Sequence, residues 1–405
     1  MIVKLNSKFK ISRGLTLVEL MVALAVFSVL MLGLGTVFQT NRRNYNSQEA
    51  FARLQENARF ALSVLTQEVR EAGFNGCNPS INLMLDTSSP AYDPALFDFT
   101  ASIDGYEYLG TGPGAPAFAM TDYDPNGESL ANWSNSNPTA ALADLNNALA
   151  NQVVAGTDVL IIKGGTAIPE MQPNGNTPKN AASVTFDDLT GIPAGTIVVI
   201  SDCTAADVFQ NSNNDNAVSL ARATGAGGYA PGNVNPASND MSHDYKQDDV
   251  QIIVTSSDAY YIGQNAAGQP SLFRQRFDAG FVAGGGASVV PQEIAEGVEN
   301  MQILYGEDTS GDFVPDRYVT ADAITNTRAI VSVRIALLMR TPDNLPYRPD
   351  DNVNYTLLGA AATGTDTVIN PNGGAEDQRL RRVFGTTVFL RNAAVCRQRV
   401  GETRC

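Results

Sequence analysis

Residues 15–38 form an apolar run, Leu15-Thr-Leu-Val-Glu-Leu-Met-Val-Ala-Leu-Ala-Val-Phe-Ser-Val-Leu-Met-Leu-Gly-Leu-Gly-Thr-Val-Phe38, in which Glu19 is the only charged residue. More than about 20 such residues match the hydrocarbon thickness of a bilayer when helical. The preceding residues 1–14 carry Lys4, Lys8, Lys10 and Arg13 and no acid, which argues for a cytoplasmic N-terminus and an exported remainder. Arg42 and Arg43 beyond the run weaken that bias without reversing it. A secretory signal would place a small-residue cleavage site after the run. Here it ends in Gly33-Leu-Gly-Thr-Val-Phe-Gln-Thr40 and continues as helix, so the apolar segment is retained.

From Gln39 to Ala72 the pattern becomes amphipathic. Leu54, Ala58, Ala61, Leu62, Leu65, Val69 and Ala72 recur at helical spacing, while Arg53, Glu56, Gln67, Glu68, Arg70 and Glu71 fall mostly off that stripe. Gly73 stands where a C-terminal glycine ends a helix. Joined to the span, this gives one helix of about 58 residues, roughly 87 Å long. Gly33 and Gly35 each lower helix stability by about 1 kcal/mol relative to Ala, which leaves two readings open: local unwinding, or close helix packing through small residues.

After Gly73 the chain turns rich in Asn, Gly, Ser and Pro, with β-branched runs at 157–163, 196–202, 249–262, 271–277, 301–305, 329–340 and 382–392. The expected fold class is α+β: a long N-terminal helix packed on a large antiparallel sheet domain with long loops. Residues 331–339 and 382–391 are placed at the sheet centre, against the helix stripe. The stretches 78–150 and 204–248 are too long for plain connections and either hold small strands or serve as binding loops, with Trp133 and Tyr229 as candidate anchors or local packing residues. The organisation is thus residues 1–14 as leader, 15–38 as the membrane half of the helix, 39–72 as its amphipathic half, and 73–405 as a β-rich body.

The formal net charge is −15, and the leader's removal would take four more positive charges away. Such a surface repels phosphate backbones, and the arginines near the C-terminus (Arg379, Arg381, Arg382, Arg391, Arg397, Arg399, Arg404) match no nucleic-acid-binding motif. The four cysteines, Cys77, Cys203, Cys396 and Cys405, lack metal or redox spacing and allow three disulfide pairings in an oxidising compartment. The shortest loop pairs Cys396 with Cys405 and leaves Cys77 for Cys203; four buried thiols is the alternative.

Asp308, Ser310, Asp312 and Asp316 place oxygens at positions 1, 3, 5 and 9 of a calcium-type loop, with the Val314 carbonyl at 7. Position 12 is Val319 rather than Glu, and Phe313 replaces the sixth-position glycine, so an acidic turn is the competing reading. His243, the only histidine, could act as a base with Asp244. There is no nucleophile elbow, catalytic-cysteine signature or paired-carboxylate motif beside it, and the expectation is that the chain is no enzyme. The glycine runs 225–228 and 284–286 lack the Lys-Ser/Thr ending of a phosphate loop.

The basic leader, Gly14 at the junction and Glu19 five residues on together resemble the class III prepilin signal. Further along, Gln55-Glu-Asn-Ala-Arg-Phe-Ala-Leu62, Glu68-Val-Arg-Glu-Ala-Gly-Phe74, Gly297-Val-Glu-Asn-Met-Gln-Ile-Leu-Tyr-Gly306 and the strand from Arg382 to Asn392 resemble the PilW family of type IV pilus minor pilins. The resemblance implies cleavage by prepilin peptidase between Gly14 and Leu15, then N-methylation of Leu15, where the family most often has Phe. It implies that Glu19 pairs with a neighbouring subunit's amine in the filament. An acid near a helix centre in lipid costs about 2.5–3.5 kcal/mol, which such pairing offsets; snorkelling to the headgroups is the alternative. It further implies an inner-membrane precursor with a periplasmic body in a Gram-negative cell, then an extracellular pilus. The partners would be other minor pilins, the major pilin and a large tip protein, in a tip-proximal complex that primes assembly for motility, adhesion or DNA uptake. A minor pseudopilin of type II secretion and a tip adhesin are the rival readings.

Overall fold

The computed structural model describes residues 16–392 apart from 77–80, 121–122, 127, 137–148, 150, 230, 278–289, 346–350, 352, 359–366 and 372–376. Contacts divide the chain into two compact units, Met1–Arg53 and Leu54–Cys405.

One helix, Leu17–Glu71, runs through 55 residues. In the first unit its apolar side chains are exposed, Leu32 at 73% and Phe38 at 72%. Hydroxyls there are satisfied locally, with Ser28 donating to the Leu24 carbonyl and Thr36 to that of Gly33, both at 2.8 Å. The helix is unbroken through Gly33 and Gly35, and a Cβ at either would meet nothing within 4 Å.

In the second unit Leu54, Ala58, Ala61, Leu65 and Val69 bury one stripe of the helix completely, as the period predicts. The helix ends where Gly73 adopts φ +73° and its amide donates to the Lys163 carbonyl at 2.7 Å. A Cβ there would run into the Ser102 hydroxyl. Asn392, just past the last long strand, donates to the terminal carbonyls of Glu71 (3.1 Å) and Ala72 (2.9 Å), which otherwise lack helical partners.

A four-stranded antiparallel sheet packs against this stripe, in the order Arg317–Val319, Val298–Glu307, Ile330–Arg340, Arg381–Phe389. Its register sets Ile303 opposite Ile335 and Ala336 opposite Gly385. Ile330–Arg340 holds the expected interior position, but among the described residues Arg381–Phe389 is an edge strand rather than a central one. Its burial explains why: Arg382, Gly385, Thr387 and Phe389 are exposed.

A nine-stranded sheet is built on the 14-residue strand Gln251–Gln264, which pairs along one side with Ile197–Ser201 and then Pro270–Phe277, and along the other with Val159–Ala167. Both faces are covered, which accounts for the nearly continuous apolar runs. Leu160, Ile162, Tyr260 and Ile262 face the core shared with the helix, while Val159, Ile161, Ala259 and Tyr261 face a second core containing Trp133. The long stretches after Gly73 do hold strands. Ile103–Tyr108, fully buried, lies beside Val159–Ala167, and Ala206–Gln210 beside Ile197–Ser201. Ile81–Leu83 pairs in parallel with Ala206–Gln210, so the large sheet is not purely antiparallel.

Candidate functional site

The helix opens on a reciprocal cap. Glu19 Oε2 accepts from the Thr16 amide at 3.0 Å and the Thr16 hydroxyl at 3.1 Å, while Thr16 Oγ1 accepts from the Glu19 amide at 3.3 Å. The Thr-Leu-Val-Glu sequence is a capping box, a pattern legible in the sequence but overlooked when Glu19 is treated only as an acid in lipid. Glu19 is exposed, on an apolar helix, with its charge held by its own helix start. Gly14 and Leu15 lie outside the described residues.

The segments that resemble the family hold the body together. Asn57 donates to the Glu296 carbonyl at 3.1 Å, tying helix to sheet. Asn300 and Gln302 both donate to the Gly156 carbonyl, at 2.7 and 2.9 Å. Glu299 is buried and takes two hydrogen bonds from Arg381, Nε to Oε2 at 2.6 Å and Nη2 to Oε1 at 2.9 Å. Arg340 approaches Glu299 at 3.4 Å and stacks over the Tyr123 ring, whose hydroxyl also donates to Glu299. Asp351 and Asp377 complete the set around Arg381, and Arg379 pairs with Asp377 at 3.3 Å. Burial alone would lower the Arg381 pKa, but bonding and charge from Glu299 outweigh it and leave the pKa raised. Three carboxylates thus face three guanidiniums, which is what allows charges to stay in a core.

A second buried cluster lies at the junction of the two sheets. Asp158 accepts from the Ile303 amide at 2.7 Å and the Tyr108 amide at 3.4 Å. Glu107 is hydrogen-bonded to it, and burial first, then the Asp158 charge, pushes the Glu107 pKa well up. Burial also raises that of Asp158, so the pair keeps a proton at neutral pH.

In the calcium-type loop the carboxylate oxygens accept hydrogen bonds from the loop's own backbone. Asp316 Oδ2 accepts from the Thr309 and Ser310 amides at 2.7 and 2.9 Å, Asp308 from the Gly311 and Phe313 amides at 2.6 and 3.0 Å, and Asp312 from the Val314 amide at 2.9 Å. Ser310 donates its hydroxyl to Asp308. These carboxylates brace a turn, and among the described residues no group of three or more His, Cys, Asp or Glu could hold a metal ion. His243 pairs with Asp202 at 2.8 Å, not Asp244, which instead accepts from the Lys179 amide. Trp133 is buried, donating to the Thr157 carbonyl at 2.7 Å and meeting Tyr108 edge-on, so it packs locally and anchors nothing outside. Tyr229 is half-buried. Cys203 is disulfide-bonded, and Cys77, Cys396 and Cys405 lie outside the described residues.

Two family models match the chain. The prokaryotic N-terminal methylation motif covers residues 10–35, and type IV pilus-assembly protein W covers residues 259–392. None of the curated proteins matches. Among solved structures, a type IV-like pilin from Thermus thermophilus aligns at 17% identity and TM-score 0.20, over 34% of this chain and 66% of that one, a likeness too weak to carry any weight. A methylation motif leading into a long apolar helix, with a β-rich body behind it, supports a pilin-type structural role. The segment containing Glu299, Arg340 and Arg381 matches the PilW family model, which together with the methylation motif supports a PilW-type pilin. Family and fold are structural rather than enzymatic, and the N-terminal helix fits a membrane-anchored pilin.

Proposed function

We propose that this chain is a minor pilin that helps prime pilus assembly from a tip-proximal complex. The observation that carries the reading is Glu19: an exposed carboxylate, satisfied among the described residues by its own helix cap, at the head of an apolar helix long enough to cross a membrane. Prepilin peptidase cuts between Gly14 and Leu15, and Leu15 is then methylated. The subunit waits in the inner membrane with residues 73–405 in the periplasm. On entry into the filament Glu19 exchanges the Thr16 amide for a neighbouring subunit's N-terminal amine, replacing two charges in apolar surroundings with a neutral pair. The body then meets other minor pilins, the major pilin and a tip protein. The match to a pilus-assembly family supports a pilus over a secretion pseudopilus. No catalytic role is assigned to His243.

Glu19→Ala tests this. The variant is expected to persist in the membrane fraction and to be missing from sheared pili, whereas Thr16→Ala, which removes only the hydroxyl's part in the cap, still assembles. Recovery of Glu19→Ala in pili at the normal level would overturn the role given to Glu19.

A further inference from the structure

Among the described residues the strand Arg381–Phe389 has a neighbour on one side only. The Leu390 amide donates to the Val331 carbonyl and the Thr341 amide to the Leu380 carbonyl, both at 3.0 Å, which fixes the even-numbered residues as those bonded to Ile330–Arg340. The amides and carbonyls of Val383, Gly385, Thr387 and Phe389 therefore point outward, and they have no partner among the described residues. Beside this edge lies a cleft of about 600 Å³ formed with the exposed face of the helix, lined by Arg59, Thr66, Arg70, Gly385, Thr386 and Arg391. None of these three arginines makes an ion pair among the described residues. The acid in the cleft, Glu71, accepts from Gln67 at 3.1 Å. A cleft with three cations and one acid is unusual on a chain of net charge −15.

We infer that this edge and cleft receive an extended acidic segment of a neighbouring filament subunit, which adds a fifth strand to the four-stranded sheet. An open edge offers main-chain hydrogen bonds for affinity, and the flanking pocket reads alternate side chains. An unprotected edge invites non-specific pairing, and the arginines select for acidic partners against other strands. The chain's own last residues, 393–405, carry Arg397, Arg399 and Arg404 against Glu402 and would be repelled by the same cleft. The inference rests on the pilin reading.

The test is a photo-crosslinking residue in place of Thr386, in the full chain, in cells that assemble pili. The expected product joins residue 386 to an acidic, extended segment of another pilus subunit. It should be lost in Thr387→Pro, which removes one outward amide and leaves the inner ladder intact, and in the double variant Arg59→Glu with Arg70→Glu. Protein recovered in sheared pili without that crosslink, or crosslinked to its own residues 393–405, would overturn the inference and leave the pilin reading standing. Protein absent from pili altogether would overturn both.

Discussion

Arg381 clasps Glu299 through two guanidinium hydrogen bonds, and neither side chain is reached by solvent. The two residues stand 82 positions apart, on strands at opposite sides of Ile330–Arg340. Breaking a buried pair by removing one partner costs about 3–5 kcal/mol; removing Glu299 takes away the carboxylate that Arg340 and Arg381 share, although Arg381 keeps Asp351 and Asp377. Glu299→Ala is therefore expected to destabilise the detergent-solubilised protein by that amount in urea unfolding. A loss under about 1 kcal/mol, the range of surface pairs, would show that the pair is not buried.

Gly297 opens the same segment with φ +82°, and a Cβ there would stand 2.6 Å from the Arg340 carbonyl oxygen. Gly297→Ala is expected to cost about 1–3 kcal/mol through strain in a backbone region that side chains avoid. The melting temperature should fall further than for Gly110→Ala, which shares the positive φ (+91°) but whose Cβ meets nothing within 4 Å.

Leu65 is fully buried in the helix stripe, whereas Phe60, five residues earlier, is 53% exposed. Leu65→Ala should cost about 2–5 kcal/mol. Phe60→Ala should stay within about 0.5 kcal/mol, as surface substitutions do. Equal losses at both positions would mean that the helix turns a different face to the sheet.

The Glu107–Asp158 pair titrates above the usual carboxylate range, chiefly through burial, with Asp322 adding negative charge nearby. Its folded-state pKa is raised, so its contribution to stability is complete below about pH 4 and is lost as pH rises toward the raised value. Unfolding free energy should thus decline with rising pH in that window, by about 1.4 kcal/mol per pH unit for one proton. Glu107→Gln, which can donate to Asp158 without a titrating proton, should flatten the slope. Identical slopes in the two proteins would remove the pair as the cause.

Cys203 is disulfide-bonded, and the described residues that flank Cys77 lie beside those that flank Cys203. A Cβ on Gly76 would stand 2.6 Å from Ser201 Oγ, and Ile81 pairs with Ala206. A non-reducing peptide map is expected to join Cys77 to Cys203. A Cys203 peptide joined to Cys396 or Cys405 would refute that pairing.

The helix and its buried stripe were legible because a 3.6-residue period is a local signal, and the long apolar strands Gln251–Gln264 and Ile330–Arg340 because both of their faces are covered. Ile103–Tyr108 was hidden by Asp104 and Glu107, whose polarity reads as loop until burial and a shared proton are known. The edge position of Arg381–Phe389 and the partnership of His243 with Asp202, 41 residues away, depend on contacts between distant segments that no local pattern encodes. The acidic run from Asp308 to Asp316 matched ligand spacing, but the spacing does not say that backbone amides occupy those oxygens.

The central claim is that this chain is cut before its apolar helix and enters a filament. The most direct measurement is the mass of the N-terminal peptide of the protein recovered from sheared pili, alongside cells lacking prepilin peptidase. The expected result is a peptide beginning at Leu15 and carrying a methyl group in the first, and an unprocessed chain beginning at Met1, absent from pili, in the second. A peptide still beginning at Met1 in peptidase-competent cells, or a protein that never leaves the membrane while pili form normally, would contradict it.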